Sequence, residues 1–173
     1  MSDDKEIFLI DTNALVTPYH QYYAFDLVPT YWDKLRQPIK EGRIVMLDTV
    51  KREIEAGTDN LSEWIRDVEG LKVIPTNEQE ILDGYAEVLN YLAECGLYKI
   101  NALEEWSKSW IADPWLIAVG MTHNYTIVTF EQKSHGISIK NPNKNAKIPD
   151  VADAFGVKWV NLFEMMRRVG ISI

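Results

Sequence analysis

The stretch Phe8-Leu9-Ile10-Asp11-Thr12-Asn13 constrains this chain more than any other. A continuous apolar run halts abruptly at an acid, a hydroxyl and an amide. An unbroken run of this kind is the pattern of a strand buried on both faces in a parallel sheet. Such a strand delivers Asp11 to the carboxyl edge of the sheet, where open α/β folds bind their ligands. The same residues also describe a strand-ending turn with Asx-type bonds from Asp11 and Asn13. The motif therefore needs company before it implies chemistry.

Further apolar runs of strand character stand at Arg43 to Leu47, Leu71 to Ile74, Tyr125 to Phe130 and Gly156 to Val160. Helical spacing fills the gaps between them. Tyr31 to Gln37 is expected to be helical, with Pro38 limiting it. Asp48 or Thr49 is expected to cap a helix that carries Glu53 and Glu55. Leu61 to Glu69 is a short helix with Trp64 and Ile65 inward. The longest helix is expected from Glu78 to Cys95, with Ile81, Leu82, Tyr85, Val88, Leu89 and Leu92 on one face and Gly96 as its stop. Leu103 to Ile111 continues the helical pattern through Trp106 and Trp110. Pro114 to His123 is so apolar that it must be buried, and Asn124 ends it. Asn161 caps a last helix, Leu162 to Val169. Only Ala14 to Ala24, rich in tyrosine, reads as a loop or an irregular helix start. The order β-α-β-α-β-α-α-β-loop-β-α implies an α/β fold with a mostly parallel sheet and helices on both faces.

The 173 residues suit one domain, spanning 1–173. Hydrophobic residues are 46% and charged residues 25%, which permits a packed core and argues against global disorder. One cysteine, Cys95, cannot form an internal disulfide, which fits a reducing, cytoplasmic setting. The opening Met1-Ser2-Asp3-Asp4-Lys5-Glu6 is polar and acidic, unlike a secretory or transit leader. No apolar run is long enough to cross a bilayer, so no membrane association is expected. A net charge of −8 argues against coating nucleic acid by bulk electrostatics. The segment Gln132 to Pro149 is the exception, with Lys133, Lys140, Lys144, Lys147, His135 and no acid.

Three more acids are expected to join Asp11. Glu131 follows the fourth strand. Asp113 opens the helix that leads into that strand. Glu53 lies early in the helix after the second strand. Strand ends and the helix starts behind them share one edge of a parallel sheet, so these carboxylates can converge. Left uncompensated they would repel one another. Oxygen-only ligands suit Mg²⁺ or Mn²⁺, and no Cys/His set points to zinc. A carboxylate-held Mg²⁺ beside a lysine-bearing loop points to phosphoryl chemistry, with Thr12, Asn13 and Thr129 orienting the carboxylates or their waters.

Four segments carry a family resemblance: Phe8-Leu9-Ile10-Asp11-Thr12-Asn13, Val50-Lys51-Arg52-Glu53-Ile54, Asp113-Pro114-Trp115-Leu116-Ile117-Ala118 and Ile127-Val128-Thr129-Phe130-Glu131. In order and spread they resemble the four acidic motifs of the PIN domain. The resemblance implies a three-layer α/β/α sandwich whose central sheet has four or five strands. It further implies a metal-dependent ribonuclease that cuts single-stranded RNA and is similar to the toxin half of a toxin–antitoxin pair. Asp11, Glu53, Asp113 and Glu131 then become the catalytic acids and ligands of Mg²⁺ or Mn²⁺, and an antitoxin becomes a protein partner. One departure stands out: the family usually has aspartate where this chain has Glu131, which reaches one methylene further. The aromatic insert from Pro18 to Trp32 also sets the chain apart from short toxins.

Each signal has a plainer reading. Asp113 before Pro114 describes an N-cap. Glu53 competes with Glu55, since two residues apart on a helix they point in different directions. Tyr19, Tyr22 and Tyr23 either stack on unpaired bases or pack the insert. The lysines at 133, 140, 144 and 147 either grip phosphates or are merely solvated. The tryptophans read as core or interface, and exposed aromatics on the insert or near Trp106 and Trp110 would favour a homodimer. His20, His123 and His135 lack a paired nucleophile, so no Ser or Cys triad is expected. A non-catalytic PIN-fold module that binds RNA or protein is the alternative function. A phosphotransfer enzyme is disfavoured, because Asn13 stands where its second acid belongs and Asp3 and Asp4 precede the strand.

Overall fold

The computed structural model describes residues 5–173, so Asp3 and Asp4 lie outside the described residues. Strands β1 (Phe8–Ile10), β2 (Ile44–Leu47), β3 (Lys72–Ile74), β4 (Thr126–Val128) and β5 (Trp159–Val160) form one sheet in the order β3-β2-β1-β4-β5. Every pairing is parallel. β1 is the central strand, with Leu9 opposite Val45 on one side and Ile127 on the other. Its three residues are all buried, as the unbroken apolar run requires. The strands are shorter than the apolar runs, because the ladder stops where the chain turns into helices.

Helices α1 (Asn13–Thr17), α2 (Pro29–Lys40), α3 (Asp48–Glu55), α4 (Asn60–Asp67), α5 (Gln79–Glu94), α6 (Ile100–Trp106), α7 (Asp113–His123), α8 (Ile148–Ala154) and α9 (Leu162–Val169) flank the sheet. The pleat alternates side chains between the faces. On one face Ile10, Ile44 and Met46 meet Leu15 of α1, Leu35 and Ile39 of α2, and Trp64 and Ile65 of α4 around a small apolar cavity. On the other, Ile127 lies under α7, where a Cβ on Gly120 would come within 3.7 Å of its Cδ1. α7 in turn lies against α5: a Cβ on Gly84 would come within 3.3 Å of the Ala118 Cβ. Small residues at that crossing let two helix backbones approach and seat the helix that begins at Asp113.

Several local expectations are corrected. For Ala14 to Ala24 the irregular helix, not the loop, is what forms: α1 runs into a π-helical turn, Pro18–Tyr22, closed by Tyr23 N–H donating to the Pro18 carbonyl at 2.6 Å. Pro38 does not limit α2 but sits inside it, one turn from the end, where its buried ring and the buried Leu35 and Ile39 compensate the missing N–H. Leu82 is 39% exposed, and Gly84 takes the buried place on α5. The helix through Trp106 stops there, so Trp106 is buried while Trp110 falls in the following turn, 67% exposed. Asp48 and Asp113 are the first residues of α3 and α7 rather than caps, with Leu47 and Ala112 in the cap positions. Asn124, at φ +55°, and Asn161, whose side chain accepts from Glu164 N–H, end α7 and start α9.

The aromatic insert packs inward. Phe25 stacks on Trp32 at 4.2 Å and Tyr23 meets Tyr31 at 4.3 Å. Trp32 lies edge-on to Trp64 at 5.1 Å and donates its Nε1–H to the Tyr23 carbonyl at 2.6 Å. Of the paired tyrosines, Tyr23 is therefore committed to the core, while Tyr22 remains 50% exposed beside Phe130 and Phe163. Among the described residues no helix is long and apolar enough to cross a membrane.

Candidate active site

The ends of β1 and β4 are clasped by a polar network. Thr129 Oγ1 donates to Asp11 Oδ2 at 2.9 Å. The same oxygen accepts from Asn13 Nδ2 at 3.2 Å and from the Glu131 N–H at 3.1 Å. Asn13 Oδ1 accepts the Phe130 N–H at 2.9 Å. Asp11-Thr12-Asn13 and Thr129-Phe130-Glu131 are thus one unit, held together because β1 and β4 are neighbours in the sheet. Glu53 joins from α3, where its Oε2 accepts the Thr12 hydroxyl at 2.7 Å. Glu55 instead pairs with Lys51 at 2.6 Å. Asp113 arrives from the first turn of α7.

Asp11, Glu53, Asp113 and Glu131 line one cleft of about 830 Å³ at the carboxyl edge of the sheet. Burial first, and repulsion within the group second, raise the carboxyls of the two most enclosed. Burial pushes the Asp11 carboxyl from 3.8 up to about 7, against the lowering pull of the Thr129 hydroxyl, with Glu131 and Glu53 adding to the rise. Burial, then Asp11, Glu131 and Glu53, push Asp113 up to about 8, with Lys147 pulling weakly the other way. Asp11 is only 5% exposed. Among the described residues no hydrogen bond or ion pair reaches the Asp113 side chain.

Of the other two acids, Glu53 is held by Thr12 and Glu131 by the start of α8. Glu131 Oε2 accepts the Ile148 N–H at 2.7 Å, at the start of α8, and its Oε1 lies 3.4 Å from Lys147 Nζ. The extra methylene of glutamate lets it bridge from the end of β4 to α8, tying down the lysine-rich loop. Among the described residues no three acid, histidine or cysteine side chains stand close enough to clasp one cation. The donor set nonetheless suits a hard divalent ion: the buried Asp11 and the half-buried Asp113 repel each other in a cleft lined by oxygen donors. Mg²⁺ is commonly held through one or two carboxylates with water completing its shell.

Of the lysines, only Lys147 stands near the acids. Lys133 pairs with Asp153, and Lys140 and Lys144 are exposed on the loop. Among the cleft residues that escaped sequence reasoning are Thr49, Arg52, Ser109 and Trp110. Arg52 precedes Glu53 and was hidden by the search for acids. Trp110 was hidden by its i, i+4 spacing from Trp106, although Ser107 and Ser109 between them signal a broken helix.

Comparison with known proteins adds the following. The profile of DUF4411, a domain of unknown function, matches residues 8–173. Among solved structures, the chain is similar to one in the crystal structure of VapBC2 from Rickettsia felis bound to a DNA fragment from their promoter. That match has 17% identity and a TM-score of 0.48, and covers 80% of this chain and 98% of that one. No curated protein matches.

Proposed function

The chain belongs to the DUF4411 family, and we propose that it is a metal-dependent endoribonuclease of PIN type, acting on single-stranded RNA. The observation that carries this reading is the meeting of Asp11, Glu53, Asp113 and Glu131 in one cleft, from four separate segments of the chain. The four acidic motifs noted in the sequence occupy the sheet edge where α/β folds place their ligands.

In this reading Asp11 and Asp113 hold Mg²⁺ or Mn²⁺, with Glu53 and Glu131 at the margin of the site. A bound cation supplies Lewis acidity at a phosphodiester and a more acidic water. The protein's part is positional. Thr129 orients Asp11, Asn13 locks the two strand ends together, and Thr12 holds Glu53 toward the cleft. Asp11 is buried and Asp113 half-buried, so their charge is less screened than at the surface, which favours a small, highly charged ligand over a monovalent one. Lys147, beside Glu131, is placed to meet substrate phosphate.

The test is cleavage of labelled single-stranded RNA by the purified chain in Mg²⁺ or Mn²⁺. Cleavage should stop with chelator and fall by at least about a hundredfold in Asp11→Asn and Asp113→Asn, the scale on which removal of a preorganised electrostatic group is felt. Metal-dependent cleavage that survives loss of both aspartates would overturn the assignment. As a toxin of this type the chain arrests growth when expressed without a protein antitoxin, and Asp11→Asn relieves the arrest. The second reading, a non-catalytic module for RNA or protein, is favoured by the capture of Glu131 at the start of α8. It predicts no cleavage in any metal.

A further inference from the structure

Trp110 stands out once the core is accounted for. It is 67% exposed, yet it lines the same cleft as the four acids. The backbone that carries it is anchored. Ser107 N–H donates to Leu103 O at 2.9 Å and Ile111 N–H to Lys108 O at 3.1 Å, while Ala112 is buried and Leu116 N–H closes the first turn of α7 onto its carbonyl at 2.9 Å. The indole is therefore carried three residues ahead of Asp113, on a turn whose backbone is anchored at both ends. Among the described residues no other aromatic ring packs against it. The other tryptophans at 32, 64 and 115 are packed against aromatic partners, and Trp106 is buried.

The makeup of the cleft says what such a ring would meet. Its other walls carry Thr12, Asn13, Thr17, Ser109 and Arg52. Arg52 has a 69% exposed side chain, tethered among the described residues only by a 3.7 Å ion pair to Asp48. Val16, Ile111 and Ala112 are the cleft's other apolar members, and a patch this small, interrupted by hydroxyls, an amide, a guanidinium and carboxylates, is poor ground for an apolar helix, which needs a continuous hydrophobic groove. It suits a nucleotide, with the base on the indole and the phosphate on the guanidinium. A base can lie on a side chain only when it is unpaired.

We propose that Trp110 is the platform on which one unpaired base of a single-stranded nucleic acid stacks beside the acidic cleft, with Arg52 on the adjoining phosphate. The proposal rests on the nuclease reading of the cleft, and deepens it by naming how substrate is seated.

Binding and cleavage are measured separately, so that the two readings fail separately. Fluorescence anisotropy of labelled single-stranded oligoadenosine and oligouridine, as RNA and as DNA, is followed with the whole chain in Ca²⁺. Trp110→Ala should weaken binding roughly tenfold, the size of one base–aromatic stack, and Trp110→Phe should recover most of it. An abasic unit in the oligonucleotide should cost the wild type as much as Trp110→Ala does and add little to that variant. Arg52→Ala should flatten the salt dependence of binding by roughly one phosphate contact. Binding that depends on Trp110 without cleavage in Mg²⁺ or Mn²⁺ sinks the nuclease reading and leaves the platform standing. Wild type that binds no oligonucleotide overturns the platform, as does Trp110→Ala binding within about twofold of wild type. So does a variant that binds RNA normally but loses self-association in sedimentation, which would make the surface a protein interface.

Discussion

Replacing Asp11 by asparagine should stabilise the metal-free protein at alkaline pH, and the size of the effect follows from the site. The Asp11 carboxyl sits near 7 in the folded chain against 3.8 ordinarily, chiefly through burial. Its folded form therefore keeps a proton through a range where the unfolded form has lost it. With more protons bound folded than unfolded, stability falls as pH rises. From about pH 5 to about pH 8 the unfolded carboxyl is already ionised while the folded one is forced to ionise. At about 1.4 kcal/mol per pH unit, Asp11 alone withdraws about 2–3 kcal/mol over that window. That is a large share of a typical domain stability of about 5–15 kcal/mol. An asparagine keeps an oxygen to accept the Thr129 hydroxyl and carries no charge. Its neighbour Asp113, relieved of a nearby carboxylate that helps raise it to about 8, should ionise more easily as well. Urea denaturation in chelator at several pH values should give a wild-type stability that declines toward pH 8 and a flatter curve for Asp11→Asn. Parallel curves for the two proteins would refute the claim that this buried carboxyl carries a folded-state penalty.

Three further outcomes follow from the same geometry. Saturating Mn²⁺ at about pH 8 should raise the melting temperature of the wild type and leave Asp11→Asn almost unmoved, because a cation favours the ionised carboxylates that the empty fold disfavours; equal shifts would place the cation elsewhere. Glu131→Ala should expose residues 132–147 to proteolysis and cost about 1.5–3 kcal/mol, the scale of a hydrogen bond to a charged group, since the Ile148 N–H loses its carboxylate; unchanged protection would show the bridge is dispensable. Gly120→Ala should destabilise by about 1–3 kcal/mol through overpacking, outweighing its helix-propensity gain of about 1 kcal/mol, because its Cβ would come 2.5 Å from the buried Val157 Cγ1.

Much of the fold was legible in the chain because parallel strands buried on both faces leave an unmistakable local mark. The runs ending at Ile10, Leu47 and Phe130 became the three fully buried inner strands, the last of them shortened to Thr126–Val128, and the run ending at Ile74 became the partly exposed edge strand β3. Element ends were less legible where packing outweighs local preference. Pro38 stays in a helix because its ring is buried, and Leu82 yields its inward place to Gly84, whose lack of a side chain brings α5 close to Ala118.

Sequence by itself determined the acids at the strand ends and the order in which they come, because position along a strand is a local property. Which partner each acid takes was decided only in three dimensions. Glu53 rather than Glu55 turns to the cleft, since Thr12 waits on one side and Lys51 on the other. Glu131 reaches α8, and Lys147 alone of its loop stands by the acids, because the chain just past β4 meets the start of α8 in space, Ile148 lying 17 residues after Glu131 in sequence. Trp110 and Arg52 entered the cleft for the same reason: a cleft wall is made by segments distant in the chain, and nothing in the residues beside them records who the neighbours will be.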